Sequence, residues 1–529
     1  MRHVIRHLTW TFFLLAAFGQ PSALAQSQAQ EPTGVVRRLS VDDAVKLALE
    51  QNLGIQIDRL TPQIQDVAVA QARTGWIPNL TSSLSNNSQN QPPTSALSGG
   101  QTKILNGQFA TAIGLAQTLK TGANYSFGWN SARQTSTNIF TNFDPLLSSN
   151  VAFSITQPLL QNFKIDNLRA TLQATRKDRE AADIQLQSTI VTTTRNVKNA
   201  YWDLAYNIDN LKAQQQSLDL AKRLLADNEK RVQIGTMAPI DIVEAQSEVA
   251  RNEESVIVAE AAIKQSEDRL RALIFDPKMP DFWTVGLEPS DGMPFTPQTI
   301  DVDGAVRTAI ANRTDIQVSK NTLERNDINI RFFRNQILPQ VNATASYQSN
   351  AVGGTFLSPV SLAQLSAPRT VVGQQGFGSV LGDIFSNTFP TWTVGLTLSY
   401  PLGTSSQETN LAKAKLQYAQ EETQLKQLEL QVTTQVRDAG RQVVTNQKRV
   451  DSARAARELA ERRLEAEEKK FAAGIQISFF VFQAQRDLAT ARTSEIQAIA
   501  DYNKSVVDFE AVQQAPLQGT VGLSVQSVR

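Results

Sequence analysis

The sequence Leu39-Ser-Val-Asp-Asp-Ala-Val-Lys-Leu-Ala-Leu-Glu50 decides the fold, because the chain repeats it 261 residues later. The second copy reads Val302-Asp-Gly-Ala-Val-Arg-Thr-Ala-Ile310, and the same offset carries Trp76-Ile-Pro78 onto Ile337-Leu-Pro339. In each copy an alternating apolar and polar segment follows the proline, and a very long helical pattern comes next. A duplicated unit that cannot bury its own apolar face packs against its other copy, so the sequence predicts two halves side by side.

The composition excludes several kinds of chemistry. The chain has 51 Lys and Arg against 50 Asp and Glu, a net charge of +1 that gives no support for nucleic-acid binding. It has no Cys, and its two histidines are His3 and His7. Both lie in residues 1–25, where a basic start, a short apolar run and Ala23-Leu-Ala25 predict a secretory signal peptide, with a membrane anchor as the alternative. The mature chain then lacks imidazole and thiol, which removes Ser-His and Cys-His catalysis and the usual zinc, copper and haem ligand sets, and leaves only carboxylate, Lys or Tyr chemistry. We expect no metal site, no cofactor and no enzymatic activity.

Gly- and Pro-rich stretches and the ends of the helical patterns divide the chain into six predicted segments. Each repeat is expected to hold short helices, then a strand pair (about 79–158 or 340–400), then a coiled coil (about 164–275 or 405–512). The segments are a signal peptide at 1–25, a flexible leader at 26–38, repeat 1 at 39–275, a linker at 276–298, repeat 2 at 299–512 and a tail at 513–529.

Clean alternation of apolar and polar residues predicts four β-strands, at 80–85, 151–156, 341–348 and 392–400. One face is apolar and the other is small and polar, which favours a lipid-facing outside and a wet inside, with a sandwich strand as the alternative. A further hairpin candidate lies at about 106–131. The pattern does not decide whether that hairpin lengthens the sheet or decorates an outer loop.

Two long stretches have a helical pattern with almost no helix breaker. Residues 164–232 contain neither Pro nor Gly, and in residues 405–471 the only helix breaker is Gly440. At about 1.5 Å per residue, each helix would be about 100 Å long, and the spacing of its apolar residues predicts a coiled coil. Gly235 and Gly474 suit the left-handed conformation that ends a helix, so we expect the chain to reverse there. Four prolines mark the predicted strand–helix junctions: Pro78, Pro158, Pro339 and Pro401.

Four strands in one chain are too few to close a barrel. A bilayer tolerates no open sheet edge, because each unpaired N–H or C=O costs several kcal/mol in hydrocarbon. Two copies would give eight strands around a filled interior, whereas three would give twelve strands and room for a lumen. A conduit therefore favours three copies.

These motifs resemble the TolC-like outer-membrane efflux proteins over about residues 39–512. The resemblance rests on Val41-Asp-Asp-Ala-Val45, Gly75-Trp-Ile-Pro78, Gln157-Pro-Leu159, Tyr400-Pro-Leu402 and the first reversal turn up to Gln246, in family order. It implies a mainly α homotrimer with a transmembrane β-barrel. Each copy would give four strands to a 12-stranded barrel, continuous with a periplasmic α-helical tunnel.

The resemblance also implies location, partners and function. The protein would lie in the outer membrane of a Gram-negative-type cell, in contact with its lipid and with most of its mass in the periplasm. It would dock with a periplasmic adaptor (membrane fusion) protein and an inner-membrane RND or ABC transporter. As the channel of a tripartite efflux or type I secretion system, it would conduct exported substrates passively.

In the family, the tunnel narrows at the two helix-reversal turns, where Asp residues line it and Tyr and Arg constraints hold it shut. Asp241 occupies the Asp position of the first turn, and Glu244 lies nearby. Three copies would then form an acidic ring that favours cations. The alternative is that Asp241 only stabilises the start of a helix.

The second turn departs from the family's pattern. The family's Tyr, Arg and two Asp positions hold, in order, Phe471, Gln476, Phe480 and Gln483. A polar lock therefore does not carry over, and Phe479, Phe480 and Phe482 are candidates for a hydrophobic constriction that gates by dewetting. The alternatives are that these Phe residues pack between helices or meet the adaptor.

Other classes of function make different demands on the sequence. A trimeric, outer-membrane-anchored coiled-coil protein with a structural or adhesive role would have one C-terminal strand set and a repetitive stalk. A periplasmic adaptor would need a lipoyl-like β-domain between its helices. A carboxylate-based hydrolase would need paired carboxylates in a pocket. The two mid-chain strand regions favour the channel.

Overall fold

The computed structural model describes residues 36–93, 102–280, 282–360 and 368–514. The predicted signal peptide (1–25), most of the predicted leader and nearly all of the predicted tail lie outside the described residues. Among the residues described, no helix is both long enough and apolar enough to cross a membrane.

The first half of the chain runs from a short strand to the first pair of long helices. Its elements are β1 (Val36–Leu39), α1 (Val41–Gln51), α2 (Leu53–Arg73), β2 (Asn79–Gln91), β3 (Ile104–Thr118), β4 (Asn124–Ser136), β5 (Phe143–Pro158), α3 (Asn167–Gln233) and α4 (Ile240–Ile274). The second half repeats this order with fewer strands. Its elements are β6 (Gly286–Pro289), α5 (Val302–Asn312), α6 (Thr314–Gln336), β7 (Gln340–Leu357), β8 (Val371–Gln375), α7 (Phe377–Phe385), β9 (Phe389–Ser399), α8 (Ser406–Ala472) and α9 (Ser478–Gln513).

The repeated motif starts a helix in the same way in both halves. The side chain of Ser40 accepts a hydrogen bond from the backbone N–H of Asp43 at the start of α1. Asp301 does the same for the backbone N–H of Gly304 at the start of α5. A polar side chain in this position satisfies an N–H that the first helical turn leaves unpaired.

The long helices α3 and α8 have 67 residues each, which corresponds to about 100 Å. Each buries a narrow apolar stripe against its own return helix and the neighbouring short helices. Val432, Val436 and Val443 of α8 are fully buried in a cluster that includes α5 and α9. Gly440 lies where these helices approach, because a Cβ there would be 3.2 Å from Val302 and 3.3 Å from Phe509.

The long strands form one antiparallel sheet in the order β2-β3-β4-β5-β7, with β8 and β9 both paired to β7. The sequence predicts one strand pair in the first half and leaves the place of a further hairpin open, whereas the structure has four strands of that half in this sheet, β2 to β5. The hairpin candidate at about 106–131 forms β3 and β4, which lie between β2 and β5. Its alternating residues fit the pleat of both neighbours, so it joins the sheet and does not decorate a loop.

The start of the described chain is not a flexible leader. Residues 36–38, predicted to be flexible, belong to β1, which pairs in parallel with β6. Leu39 of β1 and Leu287 of β6 are buried, and Arg38 of β1 forms an ion pair with Glu288 of β6 at 2.9 Å. The linker predicted at 276–298 therefore packs against the N-terminal strand and the long helices.

Two buried tyrosines hold the linker in place. The Tyr201 hydroxyl of α3 donates to the carbonyl oxygen of Leu39 at 3.0 Å and accepts from the N–H of Asp291 at 3.1 Å. The Tyr502 hydroxyl of α9 donates to the carbonyl oxygen of Thr296 at 2.7 Å. Burial raises the pKa of Tyr201 to about 12, so this hydroxyl keeps its proton at neutral pH.

Candidate functional site

The two helix-reversal turns lie together at one end of the long helices. We call this end the tip: residues 231–248, which join α3 to α4, and residues 471–488, which join α8 to α9. The Arg231 side chain donates to the carbonyl oxygen of Phe471 at 3.3 Å, and the Ser478 hydroxyl donates to the carboxylate of Asp241 at 3.5 Å. The reversals of the two halves therefore form one local structure.

Glycine makes each reversal possible. Gly235 has a φ of +78° and Gly474 has a φ of +72°, and both lie just beyond the end of a 67-residue helix. An L-residue with a Cβ is disfavoured in this left-handed region, whereas glycine adopts it freely. These are the two glycines that the sequence predicts at the turns.

The tip has its own apolar core. Phe471 is 7% exposed, and it belongs to a buried cluster with Phe482, Val481 and Leu488. The guanidinium of Arg231 lies over the Phe471 ring, 4.3 Å from its centroid, which is a cation–π contact. Phe471 and Phe482 thus pack between helices, and neither lies on the free surface of the tip.

Phe479 and Phe480 lie on the surface of the tip. Their side chains are 49% and 42% exposed, and the two rings meet edge to face with centroids 5.6 Å apart. Large aliphatic residues of both turns are exposed around them: Ile234, Ile240, Ile475 and Ile477. The tip therefore presents a cluster of large apolar side chains on its surface, which is unusual for the end of a helical hairpin in water.

The other predicted tip residues are polar. Glu244 and Gln483 are exposed, whereas Asp241 and Gln476 are half-buried. Asp241 is the second residue of α4, where a carboxylate also stabilises the start of the helix. The structure therefore brings the predicted residues of both turns to one end of the protomer, with the two acidic residues on the α4 side.

At the helical end of the tip, an ion pair that the sequence did not indicate joins a buried carboxylate to an exposed arginine. Glu248 of α4 is 4% exposed, and its carboxylate accepts hydrogen bonds from Arg486 of α9 at 2.6 and 3.0 Å and from Arg251 at 3.2 Å. The hydrogen bond to Glu248 raises the pKa of Arg486. The partners are 238 residues apart in sequence, so no local pattern marks them.

The sheet has two faces of different chemistry. On one face, an apolar residue from every long strand lies in a single row across the sheet: Leu80, Leu115, Phe127, Phe153, Tyr347 and Trp392. On the other face, the hydroxyls of Ser126 and Ser154 are 2.7 Å apart, and the amide of Asn130 donates to Asn150 at 3.1 Å. The pattern predicted from the alternation extends over all the long strands.

The predicted junction prolines lie at the helical end of the sheet. Pro78 precedes β2, Pro158 ends β5, Pro339 precedes β7 and Pro401 follows β9 by two residues. Beside them, side-chain amides join the two halves. The backbone N–H of Asn162 donates to the side chain of Asn335 at 2.7 Å, and the amide of Gln161 donates to Gln336 at 2.8 Å. This amide clamp ties the start of α3 to the end of α6.

An antiparallel sheet with one apolar and one polar face, joined to two helices that are each about 100 Å long and are followed by shorter return helices, is the architecture of an outer-membrane channel protein. The sequence matches the family described as outer membrane efflux protein over residues 44–274 and 305–513. The chain belongs to this family. Its location is the outer membrane, with most of its helical mass in the periplasm.

Solved structures share the fold at low sequence identity. A membrane protein from Pseudomonas aeruginosa is 16% identical with a TM-score of 0.64, and the match covers 94% of this chain and 99% of that chain. The CmeC outer membrane channel of Campylobacter jejuni is 14% identical with a TM-score of 0.62, covering 94% of both chains. The open state of the Neisseria gonorrhoeae MtrE outer membrane channel is 16% identical with a TM-score of 0.60, covering 94% and 98%. No curated protein matches the sequence significantly.

Proposed function

We propose that three copies of this chain form the outer-membrane channel of a tripartite efflux or type I secretion system, which conducts exported substrates passively. The observation that carries this proposal is the two-faced sheet, which continues into the long helices through the amide clamp. The apolar face suits lipid, and the polar face suits a wet lumen. The helices, about 100 Å long, suit a tunnel across the periplasm.

The open edges of the sheet favour several copies. Within the described chain, β2 and β9 each pair on one side only, so a row of backbone N–H and C=O groups remains open on the other side. Hydrocarbon does not tolerate such an edge, because nothing in lipid can satisfy those groups. Closing the sheet with further copies removes both edges.

Partners would supply the energy for export. The sequence contains no phosphate-binding loop of the G-x-x-x-x-G-K-[ST] type, so we assign the chain no nucleotide-driven step. We expect it to dock with a periplasmic adaptor (membrane fusion) protein and through it with an inner-membrane RND or ABC transporter. The exposed apolar cluster of the tip suits either a constriction of the tunnel or this docking.

We place the constriction at the tip. Exposed Phe479 and Phe480 would form a ring of six aromatic side chains in a trimer, and Asp241 and Glu244 would add an acidic ring on the α4 side. Gln476 and Gln483 would lie beside these rings. Phe471 would support the constriction from within the tip core and would not line it.

Planar-bilayer recording on the purified trimer tests this function. We expect discrete, ohmic current steps without any nucleotide, since the channel is passive. The matched control is the same preparation after heat dissociation, which should give none. A protein that stayed monomeric in detergent and passed no ions would overturn the proposal and would favour the structural or adhesive coiled-coil protein.

A further inference from the structure

We propose that each copy gives six strands to the membrane sheet, so that three copies close an eighteen-stranded barrel and not the twelve-stranded one that the family resemblance implies. This proposal rests on the proposed trimeric channel. The two strands added to the expected four are β3 and β4, and the partner that the open edges accept is a second copy of this chain.

The hairpin of β3 and β4 is fully integrated in the sheet. Pairing with β2 runs without interruption from Asn79 opposite Ala116 to Gln91 opposite Ile104. Pairing of β4 with β5 runs from Asn124 opposite Thr156 to Gln134 opposite Leu146. Neither pairing contains a register shift. A hairpin that decorated an outer loop would instead leave β2 and β5 to pair with each other.

The hairpin also has the chemistry of its neighbours. Leu115 and Phe127 fill the places between Leu80 and Phe153 in the apolar row, and Ile113 lies opposite Trp129 in the next row. On the polar face, Ser126 of β4 contacts Ser154 of β5 at 2.7 Å. Strands of 15 and 13 residues are long enough to cross a bilayer, which needs about 9 to 11 tilted residues.

Six strands leave edges that fit one another. Each neighbour along the path β2-β3-β4-β5-β7-β9 is antiparallel, so β2 and β9 run in opposite directions. The β2 edge of one copy therefore meets the β9 edge of the next as an antiparallel pair. Their lengths, 13 and 11 residues, also match. Closure by further copies needs no change in the direction of any strand.

The wider barrel changes what the membrane section admits. Barrel diameter grows roughly in proportion to strand number, so eighteen strands give a diameter about 1.5 times that of twelve. The lumen cross-section is then about twofold larger. Barrels of this size hold an open aqueous channel, so the tip and not the membrane section would set the size limit on cargo.

Engineered disulfides test the position of the hairpin, because the chain has no native Cys to interfere. We expect Ser126→Cys with Ser154→Cys to form an intrachain disulfide in the outer membrane, since opposite residues of antiparallel strands have suitable spacing. The matched control pairs Ser83→Cys of β2 with Ala152→Cys of β5. Two strands lie between β2 and β5, so β2 and β5 are about 14 Å apart and the two cysteines of the control should stay reduced. A Ser83–Ala152 disulfide, with the Ser126–Ser154 pair reduced, would overturn the proposal.

Barrel diameter tests the strand number. In electron micrographs of the purified trimer, we expect the wild-type barrel to be about 1.5 times as wide as that of a variant lacking residues 104–136. The deletion removes an even number of strands, so β2 and β5 can still pair antiparallel. If the deletion variant does not fold, the strands of the wild-type barrel are counted directly. Twelve strands, or equal diameters, would refute the inference.

Cross-links between copies test the edge pairing. We expect Ser83→Cys, combined in turn with Thr391→Cys, Thr393→Cys, Gly395→Cys or Thr397→Cys, to give a covalent trimer in at least one combination. Covalent trimers in none of them would count against a joint between β2 and β9. A conducting trimer with twelve strands would contradict the eighteen-stranded barrel but leave the proposed function intact. A monomer that passes no ions would contradict the proposed function itself.

Discussion

Single aromatic residues at the tip differ in exposure. This difference distinguishes the residue that packs in the tip core from those that could line a constriction. Phe471 is buried beneath the guanidinium of Arg231, whereas Phe479 and Phe480 are exposed to solvent in the single protomer. All three lie within ten residues of one turn, so sequence position alone does not sort them. Only the exposed pair is available to narrow a lumen.

We predict that Phe480→Asp raises single-channel conductance several-fold, because a charged ring wets a constriction that apolar side chains keep dry. Planar-bilayer recording measures the effect. The control is Ser452→Asp, an exposed position on α8 about 30 Å from the tip, which adds the same charge and should leave conductance unchanged. Unchanged conductance in Phe480→Asp would remove this residue from the constriction.

The ion pair of Glu248 and Arg486 gives a second prediction for single residues. Arg486→Gln should lower the free energy of unfolding by about 2 kcal/mol, since a buried carboxylate loses its strongest hydrogen-bond donor. Denaturant unfolding of the purified protein measures this loss. The double variant Glu248→Gln/Arg486→Gln should recover part of it, because no buried charge is left. Additive losses in the double variant would show that the two side chains are not coupled.

Among the secondary-structure elements, the short parallel pair of β1 and β6 depends on Tyr201. Tyr201→Phe should cost about 1 to 2 kcal/mol of stability, because the carbonyl of Leu39 and the N–H of Asp291 lose a buried partner. Tyr206→Phe on the same helix, where the tyrosine is half-buried, is the matched control. Thermal unfolding of both variants decides the question, and equal midpoints would contradict the anchoring role.

At the scale of the whole molecule, the proposed channel requires the apolar face of the sheet to contact lipid and the polar face to contact water. We predict that Phe153→Arg reduces insertion into the outer membrane, because an Arg facing lipid near the bilayer midplane costs about 2 to 4 kcal/mol. Ala152→Arg, one residue away on the polar face, should be tolerated. Quantifying trimer in outer-membrane fractions tests both. Equal insertion of the two variants would argue against lipid on the apolar face.

Local patterns in the sequence were sufficient for features made by neighbouring residues. Gly235 and Gly474 mark both helix reversals in the sequence, because a left-handed turn depends on a few adjacent residues. Features that join distant parts of the chain were missed. The Glu248–Arg486 pair and the β1–β6 pair each unite residues more than 230 positions apart. The β3–β4 hairpin was visible as alternation, but its place in the sheet depends on partners on both sides.

The pairing of β1 with β6 has a consequence for the time at which the protein matures. Arg38 and Glu288 are 250 residues apart. The first half of the chain and the linker up to β6 must therefore reach the periplasm before β1 can pair with β6. Bringing together such distant segments is slow, because the long loop must close first. The β1–β6 pair therefore forms only after more than half of the nascent polypeptide has been exported.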